Sequence, residues 1–338
     1  MIPHNRPTLG PEEEAAVIRV IRSGWLAQGQ EVQAFEAELC RFLGLPEHHA
    51  VALTSGTAAL FLALWALQGR GKKVAFPVYT CSSIRHAIAM AGGEEVQVDI
   101  TPGTPNLALE QLAQTEATVA IVPHMYGLPL DLTHLQGVTV IEDCAQALGA
   151  VIHQVPAGLQ GHIGIFSFYA TKLITSGGQG GMVVSRDRSL IDAIRDYREF
   201  DCRQDDRQRF NFQMTDLQAA IGRVQLRRLP QFLTRRAELF HRYQQAGLPL
   251  LDSPLNPVRF RAIVQTTRPS ALIDALAAAS VKAIIPIETW ELLGDPAHFP
   301  VARALTQETV SLPLYPSLQD AEMDLILNSL LTFMDATP

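Results

Sequence analysis

The chain carries only four cysteines, Cys40, Cys81, Cys144 and Cys202, spread far apart along 338 residues. They form no CxxC pair and no Cys/His spacing of the zinc-binding kind, so no metal site is expected. Isolated thiols of this sort suit a reducing compartment better than a disulfide framework. Excess positive charge is also missing: 27 basic residues stand against 34 acidic ones, a formal net charge of −7. Basic side chains gather only near Arg195 to Arg209, and nucleic acid is therefore not an expected partner. No apolar run approaches the roughly 20 residues that a membrane span needs. The opening Met1-Ile2-Pro3-His4-Asn5-Arg6-Pro7 lacks the basic-then-apolar pattern of a secretory signal. The expectation is a soluble cytoplasmic protein with no membrane partner. Internal repeats and low-complexity tracts are absent as well.

What is present is an alternation of helix and strand patterns, in a chain 47% apolar and long enough for a large part and a smaller one. Pro11 opens a helix with Val17, Val20 and Ile21 on its apolar face; Val32, Phe35, Leu39, Phe42 and Leu43 mark a second. Short apolar runs bounded by turns lie at 50–53, 74–76, 95–98, 118–122 and 138–141, with helical stretches such as 58–67 and 82–91 between them. Two more, 163–168 and 181–185, read as strands. This pattern predicts an α/β fold with a mainly parallel sheet covered by helices on both faces. We place this large part at 1–245 and a small C-terminal α+β part at 246–338. Past Met214, Leu217, Ala220, Ile221, Val224 and Leu229 predict a long amphipathic helix that Pro230 breaks before a second stretch at 231–245. The proline-rich 247–257 reads as a linker, 258–264 as a strand, and 270–279, 297–306 and 319–333 as helices.

Three short motifs carry chemistry. Thr54-Ser55-Gly56-Thr57-Ala58 lies between a strand and a helix, where free N–H groups and the helix dipole favour an anion. Alone, such a turn is more often a tight connection and nothing else. Asp143 follows an apolar run and so emerges at the carboxyl end of a buried strand, where open α/β sheets place ligands; alone it serves equally as a helix N-cap. Lys172 follows Phe166-Ser167-Phe168-Tyr169-Ala170-Thr171 and precedes Ser176-Gly177-Gly178-Gln179-Gly180-Gly181. Lysines are usually solvated surface charges, but these flanks are too apolar for that. Desolvation disfavours the ammonium, and a neutral amine can attack an aldehyde to give a Schiff base. An amine, a phosphate cradle and a carboxylate able to keep a pyridine nitrogen protonated are the parts of a pyridoxal 5′-phosphate (PLP) site. Gln146 can donate to the ring oxygen of that cofactor, and Ser167 to its phosphate.

These motifs, in this order, resemble the DegT/StrS family of sugar aminotransferases, which are fold-type I, aspartate aminotransferase-like PLP enzymes. The resemblance covers nearly the whole chain, including Gly24-Trp25-Leu26-Ala27-Gln28-Gly29 near the start, His124-Met125-Tyr126-Gly127 beside the cofactor and Ser311-Leu312-Pro313-Leu314-Tyr315-Pro316 late on. It implies that Gly56 and Thr57 form the phosphate turn. It also implies that Asp143, Gln146, Ser167 and Lys172 serve the ring nitrogen, ring oxygen, phosphate and Schiff base, with Lys172 and Asp143 catalytic. Asn211, within Arg209-Phe210-Asn211-Phe212-Gln213-Met214, would reach the phosphate of the partner subunit in a homodimer; without the family it reads as a turn or cap residue.

The implied activity is amino transfer from an amino acid, glutamate by family, to a keto-sugar. A nucleotide-linked keto-deoxysugar fits the family, for cell-surface polysaccharide or secondary-metabolite biosynthesis. Two departures stand out. The family places an aromatic residue after its Pro-x-x-Thr segment, whereas Pro77-Val78-Tyr79-Thr80 is followed by Cys81, which is expected to pack on the ring face. The loops 201–209 and 284–290 also differ, leaving the acceptor open. Two rivals share the motifs: a PLP-dependent sugar dehydratase, whose relatives replace the lysine with histidine, and a PLP-binding regulatory or partner protein without turnover.

Overall fold

The structure, a computed structural model, describes residues 1–335. Helix α1 (Pro11–Ser23) starts on its proline with Glu12, Glu13 and Glu14 in the first turn, and α2 (Gln30–Leu43) follows. Then come β1 (Ala50–Leu53), α3 (Gly56–Ala66), β2 (Lys73–Pro77), α4 (Ser83–Ala91), β3 (Glu94–Val98), the one-turn α5 (Leu109–Leu112), β4 (Val119–Pro123) and β5 (Thr139–Asp143). A small ribbon of β6 (Val151–Ile152) and β7 (Val155–Pro156) leads to β8 (Ile163–Ser167), β9 (Gly181–Val184) and α6 (Arg188–Arg198).

The main sheet has seven strands in the order β1-β9-β8-β5-β4-β2-β3. Strands β2, β3, β4, β5 and β8 run parallel, while β9 is antiparallel to both β1 and β8. Such strands need cover on both faces. One face packs against Phe35, Leu39, Leu226 and Phe232 of the surrounding helices. The other packs on α3, whose residues Ala58 to Leu64 are all buried, together with Ile84 and Ile191. A helix apolar all round belongs in a core.

Helix α7 (Asp216–Gln245) corrects one expectation: it runs unbroken through Pro230. The proline removes one N–H bond to Leu226 O, but packing of α7 against α1 and α2 holds the helix together on both sides. Its second half enters a separate core with Phe240, Tyr243, Leu276, Val310, Met323 and Ile326. That core is built on β10 (Ala262–Gln265), α8 (Pro269–Ala278), α9 (Pro300–Gln307), β11 (Thr309–Leu312) and α10 (Asp320–Asp335), with β10 and β11 antiparallel.

Three further expectations shift here. The strand read at 258–264 is regular only over Ala262–Gln265, because Val258 N–H donates to Gly127 O and ties the stretch to a loop after β4. The linker at 247–257 is not free: Leu251 N–H donates to Ile263 O at 2.8 Å, along the flank of β10. The helix read from 297 begins at Pro300, with Phe299 before it held out of the helical region by the proline that follows. Helix α6 and strand β11 had no sequence counterpart. Residues 336–338, the end of the expected small part, lie outside the described residues. Among the described residues no helix is long and apolar enough to cross a membrane.

Candidate active site

Strand β5 delivers two adjacent acids to opposite sides of the sheet, as strand alternation requires. Glu142 is fully buried, and each of its carboxylate oxygens accepts two hydrogen bonds. Oε1 takes Gln160 N–H at 2.7 Å and Gly161 N–H at 2.6 Å; Oε2 takes Gly158 N–H and His124 Nε2, both at 2.9 Å. Burial opposes its ionisation, but these donors prevail and hold its pKa below the usual glutamate value. His124 Nδ1 accepts Leu130 N–H at 3.1 Å, so its proton sits on Nε2. Glu142, His124 and Cys144 have metal-like spacing, yet the Glu142 oxygens are already occupied by donors.

Asp143 points the other way, into a cavity of about 360 Å³ at the carboxyl ends of the parallel strands. Burial pushes its carboxyl above the ordinary aspartate value, against the pull of Ala145 N–H and of the Lys172 charge. Lys172 lines the same cavity, half-buried. Burial lowers its pKa from the usual lysine value, Arg261 adds to that effect, and Asp143 and Cys81 oppose it. Its loop is pinned by Ala170 N–H to Gly178 O, Ser176 N–H to Phe168 O and Asn5 Nδ2 to Thr171 O, each at 3.0 Å.

The phosphate-type cradle is built at the start of α3. Ser55 caps the helix by accepting Ala58 N–H at 3.1 Å, and the Gly56 and Thr57 N–H groups precede the first intrahelical bonds. A Cβ on Gly56 would lie 2.9 Å from Ser167 Cβ and 3.1 Å from its hydroxyl oxygen. Glycine there brings the Ser167 hydroxyl against the helix N-terminus. Gly181 does the same from β9, where a Cβ would sit 2.2 Å from Ser55 O. Gln146 accepts Tyr126 N–H at 2.7 Å through its carbonyl oxygen, leaving its NH2 group to donate.

The cavity thus gathers every site residue expected from sequence except Asn211: Gly56, Thr57, Cys81, Asp143, Gln146, Ser167 and Lys172 all line it. Asn211 is exposed, and its side-chain oxygen accepts Gln213 N–H at 3.0 Å. Sequence reasoning missed Phe260 and Arg261, which close the cavity from the stretch before β10. Their one signal was a pair of arginines, Arg259 and Arg261, alternating with apolar residues just before β10.

A buried acid, a desolvated amine and an anion cradle in one cavity fit PLP by donor type and by the space at Gly56. Fold and site together define a fold-type I PLP-dependent aminotransferase. The DegT/DnrJ/EryC1/StrS aminotransferase family model matches residues 7–331, and the chain belongs to that family. Spore coat polysaccharide biosynthesis protein SpsC of Bacillus subtilis (strain 168) is 32% identical, over 97% of this chain and 96% of its own. The aminotransferase TlmJ from Streptoalloteichus hindustanus superposes with a TM-score of 0.92 at 28% identity, over 99% of both chains. The PLP form of Spr1654 from Streptococcus pneumoniae gives 0.90 at 25% identity, again over 99% of both chains.

Proposed function

We propose that this enzyme moves an amino group from glutamate to the ketone of a sugar, a nucleotide-linked keto-deoxysugar. The carrying observation is the Lys172 amine, desolvated in the same cavity as buried Asp143. The polysaccharide context printed in the name of SpsC supports a role in cell-surface polysaccharide or secondary-metabolite assembly, in the cytoplasm. Residues 1–245 would hold the cofactor and 246–338 would close over it.

Bound PLP supplies an electron sink for the charge left when a C–H bond of the donor breaks. Asp143 would keep the ring nitrogen protonated, its buried carboxylate being favoured by a cation placed beside it. Gln146 donates its NH2 group to the ring oxygen, and Cys81 packs on the ring face. Ser167, Gly56 and Thr57 hold the phosphate. Lys172 would carry the cofactor and, as a free amine beside the donor α-carbon, would serve as the general base for its proton. Asn211 completes the phosphate site of the partner subunit in a homodimer, with exposed Phe210 and Trp25 supplying apolar contact area.

PLP-loaded protein is expected to show a yellow band at about 400–430 nm. Glutamate should bleach it, and a keto-sugar nucleotide should restore it. Protein that stays yellow with every amino donor would refute transamination and leave a cofactor-binding partner protein.

A further inference from the structure

The stretch around 284–290, where the sequence departs from its family, forms one wall of the active-site cleft. A cavity of about 540 Å³ adjoins the main one and shares Cys81, Gln146 and Lys172 with it; Pro286, Trp290 and Glu291 line its other side. Trp290 is 81% exposed, the most open aromatic ring among the described residues. Single exposed apolar side chains are common, but this one lines a cavity that also holds the reactive amine. The segment is held fast to the large part. Leu293 N–H donates to Val78 O at 3.0 Å, and Leu293 O accepts Gln97 Nε2 at 2.7 Å as well as Arg85 Nη2. A few residues on, Asp99 caps α9 by accepting Val301 N–H at 3.1 Å and Ala302 N–H at 2.8 Å. These bonds fix where Trp290 and Glu291 stand, as a recognition site requires.

The charges on that side narrow what can bind. Arg85 is spent: besides Leu293 O, its Nε donates to the two oxygens of Glu95 at 3.1 and 3.3 Å. The Tyr126 hydroxyl lies 2.7 Å from that of Tyr79, and burial keeps both phenols neutral, the Tyr79 pKa being pushed up to about 12. Glu291 is the exception. Its Oε2 accepts Glu288 N–H at 2.8 Å, which orients the side chain, and among the described residues its carboxylate forms no ion pair. A carboxylate there repels a phosphate and accepts from hydroxyls, while an indole offers a broad apolar face. Together they suit a ring with apolar faces and a hydroxylated edge, which is the form of a sugar. The ketone that takes the nitrogen must come up to Lys172 in this same cavity, so the ring bearing it is the part within reach. We propose that Trp290 carries one face of the acceptor's sugar ring while the Glu291 carboxylate accepts hydrogen bonds from its hydroxyls. The pair selects hydroxylated keto-sugars over simple ketones and leaves the nucleotide to lie elsewhere. This inference rests on the sugar-acceptor reading above and names the residues that read the ring.

The test starts from PLP-loaded enzyme bleached with glutamate and then freed of it. UDP- and dTDP-linked keto-deoxyglucose are added, and return of the yellow band is followed against acceptor concentration. Relative to half-saturation by glutamate, that by the acceptor should rise about 10- to 10²-fold in Glu291→Gln, which keeps the shape but loses the charge-assisted bonds. Trp290→Ala should raise it about tenfold, and Trp290→Phe less. Acceptors lacking one ring hydroxyl separate direct contact from a structural role: one of them should lose as much in wild type and nothing further in Glu291→Gln. A readout without turnover is tryptophan fluorescence titrated with UDP-glucose, which has no ketone; it should be quenched in wild type and not in Trp290→Phe, with little quenching by UDP alone. Unchanged acceptor half-saturation in both variants overturns the proposal, and so does an equal rise for glutamate, which would mark lost structure. Quenching by UDP as strong as by UDP-glucose also overturns it and gives the indole to the base. If glutamate bleaches nothing, or no keto-sugar restores the band, the function proposed above fails first and takes this inference with it.

Discussion

Replacing Glu142 with glutamine keeps its shape and removes its charge, and the geometry dictates the penalty. Both carboxylate oxygens accept two donors each, and a side-chain amide offers only one oxygen. Whichever way the amide turns, its NH2 group meets two donors that have lost their acceptor. His124 cannot rescue one by changing tautomer, because Leu130 N–H already occupies Nδ1. Two orphaned buried donors cost roughly 1–3 kcal/mol each, so about 4 kcal/mol is expected. With about 2.1 cal/mol/K of unfolding entropy per residue, that lowers the apo-protein Tm by about 6 °C.

The pH dependence gives a second reading of the same group. The native pKa of Glu142 is depressed, so its stabilisation is fully present above the ordinary value of 4.5 and is lost as pH falls through the lower native value. The gap between wild type and Glu142→Gln should therefore be constant above that value and narrow below it. Differential scanning fluorimetry across pH measures both effects. A variant within about 1 °C of wild type at neutral pH would refute the four-donor assignment.

Lys172→Ala should lose the borohydride-trapped pyridoxyl label at that position, found by peptide mapping, and slow the donor half-reaction by about 10²- to 10⁴-fold. Gly56→Ala forces a methyl against Ser167, an overpacking cost of about 1–3 kcal/mol; equilibrium dialysis should show PLP affinity weakened by about tenfold, and unchanged affinity would remove that turn from the cradle. Asp216→Ala strips the acceptor for Gly29 N–H at 2.8 Å and Val32 N–H at 3.1 Å at the start of α2. A loss of about 2–4 kcal/mol is expected from urea denaturation, with partial recovery in Asp216→Asn.

Much of the site was legible because its parts are local. A glycine turn opening a helix, an acid ending a strand and a lysine between apolar and glycine-rich flanks can each be read within a few residues. What the sequence could not decide depends on neighbours distant along the chain. Glu142 and Asp143 are adjacent acids, and only the packing beyond each side of the sheet makes one a structural node and the other a cavity group. Strand β9 inserts antiparallel between β1 and β8, and the need for Gly181 appears only once Ser55 lies against it. Pro230 looked like a break because local rules weigh its missing hydrogen bond, not the helices packed on either side. Arg261 stayed hidden because its partners, His4 and Ser311, come from the two ends of the chain.

The first residues of the chain act as a tether across the molecule. Ile2 exchanges backbone bonds with Ser280 and Lys282, His4 meets Ser311 at 2.8 Å, and Asn5 grips the carbonyl of Thr171, one peptide from the reactive amine. A purification handle fused ahead of Met1 would therefore tug on the loop that aims that amine. Kinetic constants from such a fusion would describe a disturbed catalyst, so the handle belongs at the opposite terminus or must be cleaved before rates are compared.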